Sequence, residues 1–431
     1  MSHSFSRRQF MKTGTVAAAG YMVASGLPLR ASRSPNERVS FASIGIGGKG
    51  AGDTADAARC GDLIAICDVD ANRLAGSAQR YPSAKPFADY RELLDQMGDK
   101  LDAVTVSTPD HMHAPIGLKA MRQKLHCFCQ KPLTRTIYES RLMGQVAREN
   151  GLATQMGNQG TADDALRRSA HWLKNGAIGT VQELHVWTDR AKGWWPQGVE
   201  RPAPSPCPDN LDWDLWLGVA PERPHAQGYH SFKWRGWWDF GTGALGDIAC
   251  HSVSLPFMGL DLRNPVSVEA ETSGHNKDSF PEWSIITFEF AANDVRPALT
   301  LTWYDGGKLP DPALLGGREP GTGGGTLAIG DKGIFLNNQL LDGAEPVDVE
   351  FIHSPGHFDE WVAEIQGEGR AMSNFPDYAG PLTESMLMGN LAVWAGEKVE
   401  WDAENMKVTN DVAGCESLIK PTYRDGHVLD V

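Results

Sequence analysis

A chain of 431 residues is longer than one ordinary core organises, since domains of about 100 to 200 residues are usual, so two domains are the default expectation. Hydrophobic residues at 41% and charged residues at 22% exclude a largely disordered protein, and no interior run is long and apolar enough to span a bilayer. A formal net charge of −14 repels phosphate backbones and anionic lipid, which excludes nucleic acid and membrane surfaces as partners.

In chain order, residues 1–32 read as an address rather than a fold. Ser6-Arg7-Arg8-Gln9-Phe10-Met11-Lys12 precedes a mild apolar stretch from Thr13 to Leu29, broken by Gly14, Gly20 and Gly26 and free of acids. This is a twin-arginine leader with Met11 in place of the consensus leucine, and it predicts a periplasmic or extracellular protein exported already folded. No dinucleotide pool exists outside the cytoplasm, so a cofactor carried along must stay bound to be of use. The seven cysteines, Cys60, Cys67, Cys127, Cys129, Cys207, Cys250 and Cys415, are odd in number, lack C-x-x-C pairs and sit mostly in apolar segments. They read as small packing residues rather than disulfides.

The next segment, 36–156, reads as a dinucleotide-binding domain. A buried strand from Val39 to Ile46 runs into Gly45-Ile46-Gly47-Gly48-Lys49-Gly50, which opens a helix from Ala51 to Arg59. Among 47 glycines the bare G-x-G-x-x-G pattern is weak, and Gly241-Thr242-Gly243-Ala244-Leu245-Gly246 repeats it after Trp237, Trp238, Asp239 and Phe240, where an aliphatic strand should stand. Context selects the first copy. A second apolar strand, Leu63 to Cys67, ends in Asp68, where an acid holds the ribose 2′-hydroxyl. The glycines bring backbone N–H groups against a pyrophosphate at a helix N-terminus. Asp68 disfavours a 2′-phosphate, so NAD is expected over NADP, with Arg73 nearby as the opposing charge.

The alternation continues with a helix near Tyr90 to Gln96, a strand Ala103 to Ser107, a helix Pro115 to Gln123, a strand His126 to Cys129, a helix Tyr138 to Glu149 and a strand Ala153 to Met156. Strands alternating with helices predict an α/β Rossmann-type, doubly wound parallel sheet. Ligands gather at the carboxyl ends of such strands, here Thr108-Pro109, Gln130-Lys131-Pro132 and Gly157-Asn158-Gln159-Gly160.

Thr108-Pro109-Asp110-His111-Met112-His113, Cys129-Gln130-Lys131-Pro132, Gly157-Asn158-Gln159 and Asp247-Ile248-Ala249-Cys250-His251, in this order after the glycine loop, resemble the Gfo/Idh/MocA oxidoreductases. Trp213-Asp214-Leu215-Trp216-Leu217-Gly218 and Trp237-Trp238-Asp239 are similar to an exported, tryptophan-rich branch of that family. The resemblance implies that 157–431 is an α+β domain whose open, mainly antiparallel sheet covers the nicotinamide end and builds a homo-oligomer interface. Independently, Ile286, Phe288 and Phe290 alternate with polar neighbours, as do Leu299, Leu301 and Trp303 with Thr300 and Thr302, the period of half-buried strands. Val181 to Thr188 and Val266 to Glu271 read similarly.

Moving a hydride from an alcohol to nicotinamide requires a positioned base for the hydroxyl proton. By resemblance, Lys131 is the lysine beside the nicotinamide that holds or deprotonates the hydroxyl. Gln130 stands where the family's usual glutamate would be, and losing that anion should ease access to the neutral amine if the side chain faces the lysine. Asp247 and His251 lie four apart in a segment, Ala244 to Met258, that reads as one helix, so both project from one face. That spacing suits a surface pair or cap as well as a base with its orienting carboxylate; the resemblance favours the second. His111 and His113 form H-x-H without further ligands at recognisable spacing, so no metal is expected. The expected cofactor set is Gly45, Gly47, Gly48, Lys49, Gly50, Asp68, Thr108, Pro109, His113, Lys131 and Gln159.

Eight of the 14 tryptophans fall between Trp187 and Trp238, and aromatic walls suit the apolar C–H faces of sugars. Trp194, Trp195, Arg235 and Trp238, with Tyr229 and His230, are the substrate candidates, set among Gly and Pro. The Gly- and Pro-rich stretch Lys308 to Thr326 reads as a long loop, either a lid or interface arm or a surface excursion. The expected activity is an NAD-dependent oxidoreductase acting on a sugar, glycoside or polyol with a retained cofactor reset in place. Its rivals are a redox-neutral glycoside hydrolase or lyase, in which oxidation is transient and the hydride returns after elimination, and a non-catalytic sugar-binding protein.

Overall fold

The computed structural model describes residues 38–431 except 190–192, 322, 349, 428, 430 and 431, so the twin-arginine segment lies outside the described residues. From Ser40 the chain alternates β1 (Ser40–Ile44), α1 (Lys49–Cys60), β2 (Asp62–Cys67), α2 (Ala71–Arg80), β3 (Lys85–Phe87), α3 (Tyr90–Met97), β4 (Ala103–Val106), α4 (His113–Arg122), β5 (His126–Cys129), α5 (Ile137–Glu149) and β6 (Thr154–Met156). The strands pair in parallel in the order β3-β2-β1-β4-β5-β6, the doubly wound arrangement. β4 is buried at every position because helices cover both faces, which explains its unbroken apolar run.

The helix starts are specified locally. Asp70 accepts from the N–H groups of Asn72 and Arg73, Asp89 from Arg91, and Thr136 with Glu139 forms a capping box at α5. α2 and β3 escape the sequence pattern for a physical reason: α2 buries no residue fully and β3 is a three-residue edge strand, so neither displays a clear apolar period.

The second part contains α6 (Asp164–Lys174), β7 (Val181–Trp187), α7 (Trp213–Leu217), α8 (Gly243–Ser252), α9 (Ser254–Leu260), β8 (Ser267–Thr272), β9 (Ser284–Phe290), β10 (Leu299–Tyr304), β11 (Gly325–Gly330), β12 (Gly333–Leu336), β13 (Gln339–Leu341), α10 (His357–Ile365), α11 (Gly380–Ala395), β14 (Val399–Asp402), β15 (Lys407–Val408) and α12 (Glu416–Ile419). Its nine strands run in the order β13-β12-β11-β7-β10-β9-β8-β14-β15, antiparallel except for the β7–β10 pair. α11 packs on β8, β9, α5 and α8. Twelve of its 16 residues are buried, so it is apolar nearly all round and carries no amphipathic signature.

Two sequence expectations change. The segment Ala244 to Met258 is two helices breaking at Val253, because Pro256 lacks the N–H that would bond back to Ser252. The boundary at 156 also fails to enclose the first sheet's cover. Phe358 and Trp361 of α10 return to pack on Phe41 of β1 and Phe128 of β5 at ring separations of 5.3 to 5.9 Å. All seven cysteines are free thiols, five of them buried, and no described helix is long and apolar enough to cross a membrane.

Candidate active site

The turn after β1 admits only glycine at two positions. A Cβ on Gly50 would lie 1.8 Å from the Gly45 carbonyl oxygen, and one on Gly45, at φ 78°, would meet the Ser107 carbonyl at 2.7 Å. Gly48, at φ 55°, precedes α1 with nothing within 4 Å of its Cβ direction. Gly50 and Ala51 bond back to the Gly47 and Gly48 carbonyls, so the open space lies over Gly48 at the N-terminus of α1, a cradle for a pyrophosphate. A cleft of about 630 Å³ opens there. Because the sheet order is β2-β1-β4-β5, the cleft runs from Asp68 past the glycines and Thr108-Pro109 to Lys131. Three strand spacings of about 4.8 Å separate its two ends.

Asp68 accepts the N–H groups of Ile46 and Asp70, each at 3.0 Å, which aims the carboxylate and leaves lone pairs for ribose hydroxyls. Burial pushes its carboxyl up. Arg73 lies over Gly47, where a Cβ would come within 2.5 Å of its guanidinium, and reaches Ser231 Oγ at 3.3 Å. Lys49 pairs with Asp53, and Gln159, turned so that its amide nitrogen donates to Gly157, accepts from Lys49 Nζ at 3.1 Å.

At the other end, Lys131 Nζ donates to Asp247 Oδ1 at 2.7 Å and to the Asp247 carbonyl at 2.9 Å, while Arg235 Nε donates to the same Oδ1 at 2.8 Å. Burial opposes a charge on Asp247, but Lys131 and Arg235 outweigh it and hold the carboxyl at about 2. His251, one turn along α8, lines the same end of the cleft. The structure thus joins Lys131, Asp247 and His251.

Gln130 does not face the lysine. Its amide donates to Asp53 Oδ2 at 2.9 Å, where Ser107 also donates, so it braces the glycine turn and leaves the Lys131 charge to Asp247. His113 is also corrected: it does not line the cleft. Its ring is buried between the Thr108 carbonyl at 2.8 Å and the Pro132 carbonyl at 2.9 Å, tying together the two loops that carry the site.

The Asp247 shift has a pH signature. Its folded value near 2 lies below an unfolded value near 4, so its contribution is present above about pH 4 and fades as pH falls towards 2. Asp247→Asn is expected to cost about 2 to 3 kcal/mol at pH 7. Urea midpoints of the two proteins should converge as pH drops below 4.

Of the substrate candidates, Trp194, His230 and Arg235 line the cleft, and Trp195, Tyr229 and Trp238 do not. Trp238 stacks on Phe280 at 3.7 Å and meets Trp394 edge-on; Tyr229 is buried among Trp213, Trp237 and Phe240; Trp195 is buried against Ala244. These three are core. Trp234 and Phe232 complete the wall instead, with the Arg235 guanidinium 4.1 and 4.6 Å from their ring centres. Trp238→Ala is expected to cost about 3 to 5 kcal/mol of stability with little change in KM. Trp194→Ala, at a residue 47% exposed, should raise KM and leave the unfolding midpoint near wild type. Denaturant titration beside steady-state kinetics separates the two.

The comparisons with known proteins fit this geometry. Residues 39–158 match the Oxidoreductase family, NAD-binding Rossmann fold, and residues 173–295 match the Oxidoreductase family, C-terminal alpha/beta domain, both of Gfo/Idh/MocA type. The chain belongs to the Gfo/Idh/MocA oxidoreductase family. Its N-terminal domain is therefore an NAD-binding Rossmann fold, and the open cradle at Gly48, the aimed Asp68 and the long cleft fit that nucleotide.

Among its relatives, a levoglucosan dehydrogenase of Pseudarthrobacter phenanthrenivorans is 24% identical over 44% of this chain and 40% of its own length. A glycosyl hydrolase family 109 protein of Shewanella pealeana is 28% identical over 31% of this chain and 35% of its own. The Gfo/Idh/MocA chain thus spans less than half the length of these curated relatives. The WlbA dehydrogenase of Bordetella pertussis, solved with NADH and UDP-GlcNAcA, shares the fold at a TM-score of 0.62 and 17% identity, covering 85% of this chain and 99% of its own.

Some residues of this Gfo/Idh/MocA cleft were not singled out from sequence. Asp110 follows Thr108-Pro109 directly, and its position at a strand end was the available signal. It is fully buried and accepts from Thr242 Oγ1 at 2.7 Å; burial pushes its carboxyl up to about 7. His427 lines the cleft from the far end of the chain, and no local pattern marks it. Among the described residues no cluster of three or more His, Cys, Asp or Glu could hold a metal.

Proposed function

We propose that this protein is an exported NAD-dependent oxidoreductase acting on a hydroxyl of a sugar, glycoside or polyol, a homo-oligomer that keeps its nucleotide bound through turnover. One observation carries the reading: the Lys131–Asp247–Arg235 cluster, with His251 beside it, lies at the β5 end of a dinucleotide cleft walled by Trp194, Phe232 and Trp234. Bound NAD supplies the hydride acceptor.

The protein's own groups do the rest. The Lys131 ammonium has three N–H bonds, and two go to Asp247, so the third is left for a substrate hydroxyl oxygen. Asp247, itself held by Arg235, fixes its direction, and the aimed N–H stabilises negative charge growing on that oxygen. His251 takes the hydroxyl proton. The aromatic wall receives the apolar face of the sugar. Asp68 favours NAD over NADP by opposing a 2′-phosphate, and its aimed carboxylate supports this despite Arg73. A nucleotide that stays bound is reset in place by a second substrate.

The likeness to a glycosyl hydrolase family 109 protein favours a second reading, redox-neutral cleavage of a glycoside at the same site. Loaded enzyme separates them. Accumulation of bound NADH with a free sugar supports the oxidoreductase; release of the leaving group from an aryl glycoside without net NADH supports cleavage. Neither response to any member of a sugar and glycoside panel would overturn both.

A further inference from the structure

Beyond Asp68 the cleft continues between the end of β3, at Ala88 and Asp89, and the start of α4, at Met112. Since Asp68 is where a ribose is held, this end belongs to the adenosine half of the nucleotide. Two segments remote in sequence close it: α7 with the turn after it, at Leu215, Trp216 and Gly218, and the C-terminal segment at His427. Gly218, at φ 50°, packs so tightly that a Cβ would sit 2.0 Å from the Met112 sulfur.

Both segments are pinned. Ahead of α7 the chain bridges to the loop after β2, with Ala71 N–H donating to the Asn210 carbonyl at 2.8 Å, Asp212 N–H to the Val69 carbonyl at 3.0 Å, and Asn210 Nδ2 to Asp70 at 2.8 Å. Arg424 then ties the C-terminal segment to the turn, donating to the Gly218 carbonyl at 2.6 Å, the Asp214 carbonyl at 2.9 Å and Glu222 at 2.6 Å. Tyr423 bonds Glu139 on α5.

We infer that α7 with Gly218 and the segment Tyr423 to His427 form a clasp over the adenosine half of NAD, with Arg424 as the positioning residue that holds it shut. This rests on the proposal of a retained nucleotide and names what retains it. A planar fork meeting two carbonyls and the carboxylates of Asp214 and Glu222 holds one geometry that a lysine cannot copy. None of these residues reaches the Lys131 end, so the clasp governs nucleotide release and not hydride transfer.

The test compares full-length wild type, Arg424→Ala and Arg424→Lys, each loaded with NAD, and follows exchange against isotopically labelled NAD by native mass spectrometry. Arg424→Ala is expected to release NAD about tenfold faster or more, the order of one lost charge-assisted hydrogen bond. The stripped variant should bind ADP-ribose more weakly by a similar factor and nicotinamide mononucleotide unchanged. If the alanine variant does not fold, Arg424→Lys, which keeps the charge opposite Glu222 but loses the fork, must show the same direction. Wild type that holds NAD while the folded variants release it no faster overturns the clasp alone. So does equal weakening towards both half-nucleotides, which would report general damage. Wild type that retains no nucleotide overturns the retention reading and the clasp with it.

Discussion

Replacing Lys131 by alanine is expected to lower kcat/KM by about a hundredfold to ten-thousandfold, the range that one positioned proton-handling group contributes. The substitution removes the ammonium that faces the substrate and leaves Asp247 with Arg235 as its remaining cation, so the carboxylate stays charged but nothing aims an N–H at the hydroxyl. Nucleotide content should be nearly unchanged, because the glycine turn and Asp68 lie across the sheet from β5. Steady-state kinetics together with the mass of the bound nucleotide checks both halves. Unchanged kcat/KM in Lys131→Ala would place the chemistry at a site elsewhere.

Gly50→Ala is the second large effect, and it acts on binding rather than chemistry. The added methyl would lie 1.8 Å from the Gly45 oxygen and 3.1 Å from the Ser107 side chain, and the first of these is backbone held by the Gly45 N–H bond to the Cys67 carbonyl of β2. Relief requires α1 to move off the sheet, at a cost of about 3 kcal/mol or more, which removes at least a hundredfold of nucleotide affinity. Gly76→Ala is the contrasting control. Gly76 is exposed in α2 with nothing within 4 Å, so alanine there should stabilise by about 0.5 to 1 kcal/mol and leave nucleotide binding alone. Isothermal titration with NAD and thermal unfolding of both variants measure the contrast.

How far the sequence discloses this site depends on how local each signal is. The glycine turn and Asp68 are legible because strand, turn, helix and acid follow one another closely, and the constraint that makes each glycine necessary acts within that same unit. Lys131 and Asp247 could each be singled out, yet the ion pair between them joins positions 116 residues apart and appears only once α8 is laid against β5. The direction of Gln130 was undecidable for a related reason: its partner, Asp53, sits on α1, and nothing near residue 130 announces it.

Tryptophans show the limit most clearly. Trp234 and Trp238 flank the same short stretch, but one lies under the Arg235 guanidinium at the cleft and the other stacks on Phe280 in the core. Without a helical or strand period, loop composition cannot say which side an aromatic faces. α10 and His427 were illegible for want of any link to the first sheet except the folded chain itself. The large sheet, by contrast, could be read from β9 and β10, because alternation in burial is written directly in alternation of residue type.

The proposed chemistry needs a nucleotide gripped at the glycine turn with its reactive end beside Lys131. A single turnover of loaded protein with a sugar deuterated at the reacting carbon tests this most directly, read by mass spectrometry of the nucleotide after desalting. Deuterium is expected to move onto the nicotinamide, the labelled nucleotide to stay with the protein, and Lys131→Ala to block the transfer. Nucleotide that remains unlabelled throughout a substrate panel, or that washes away from wild-type protein, would contradict it.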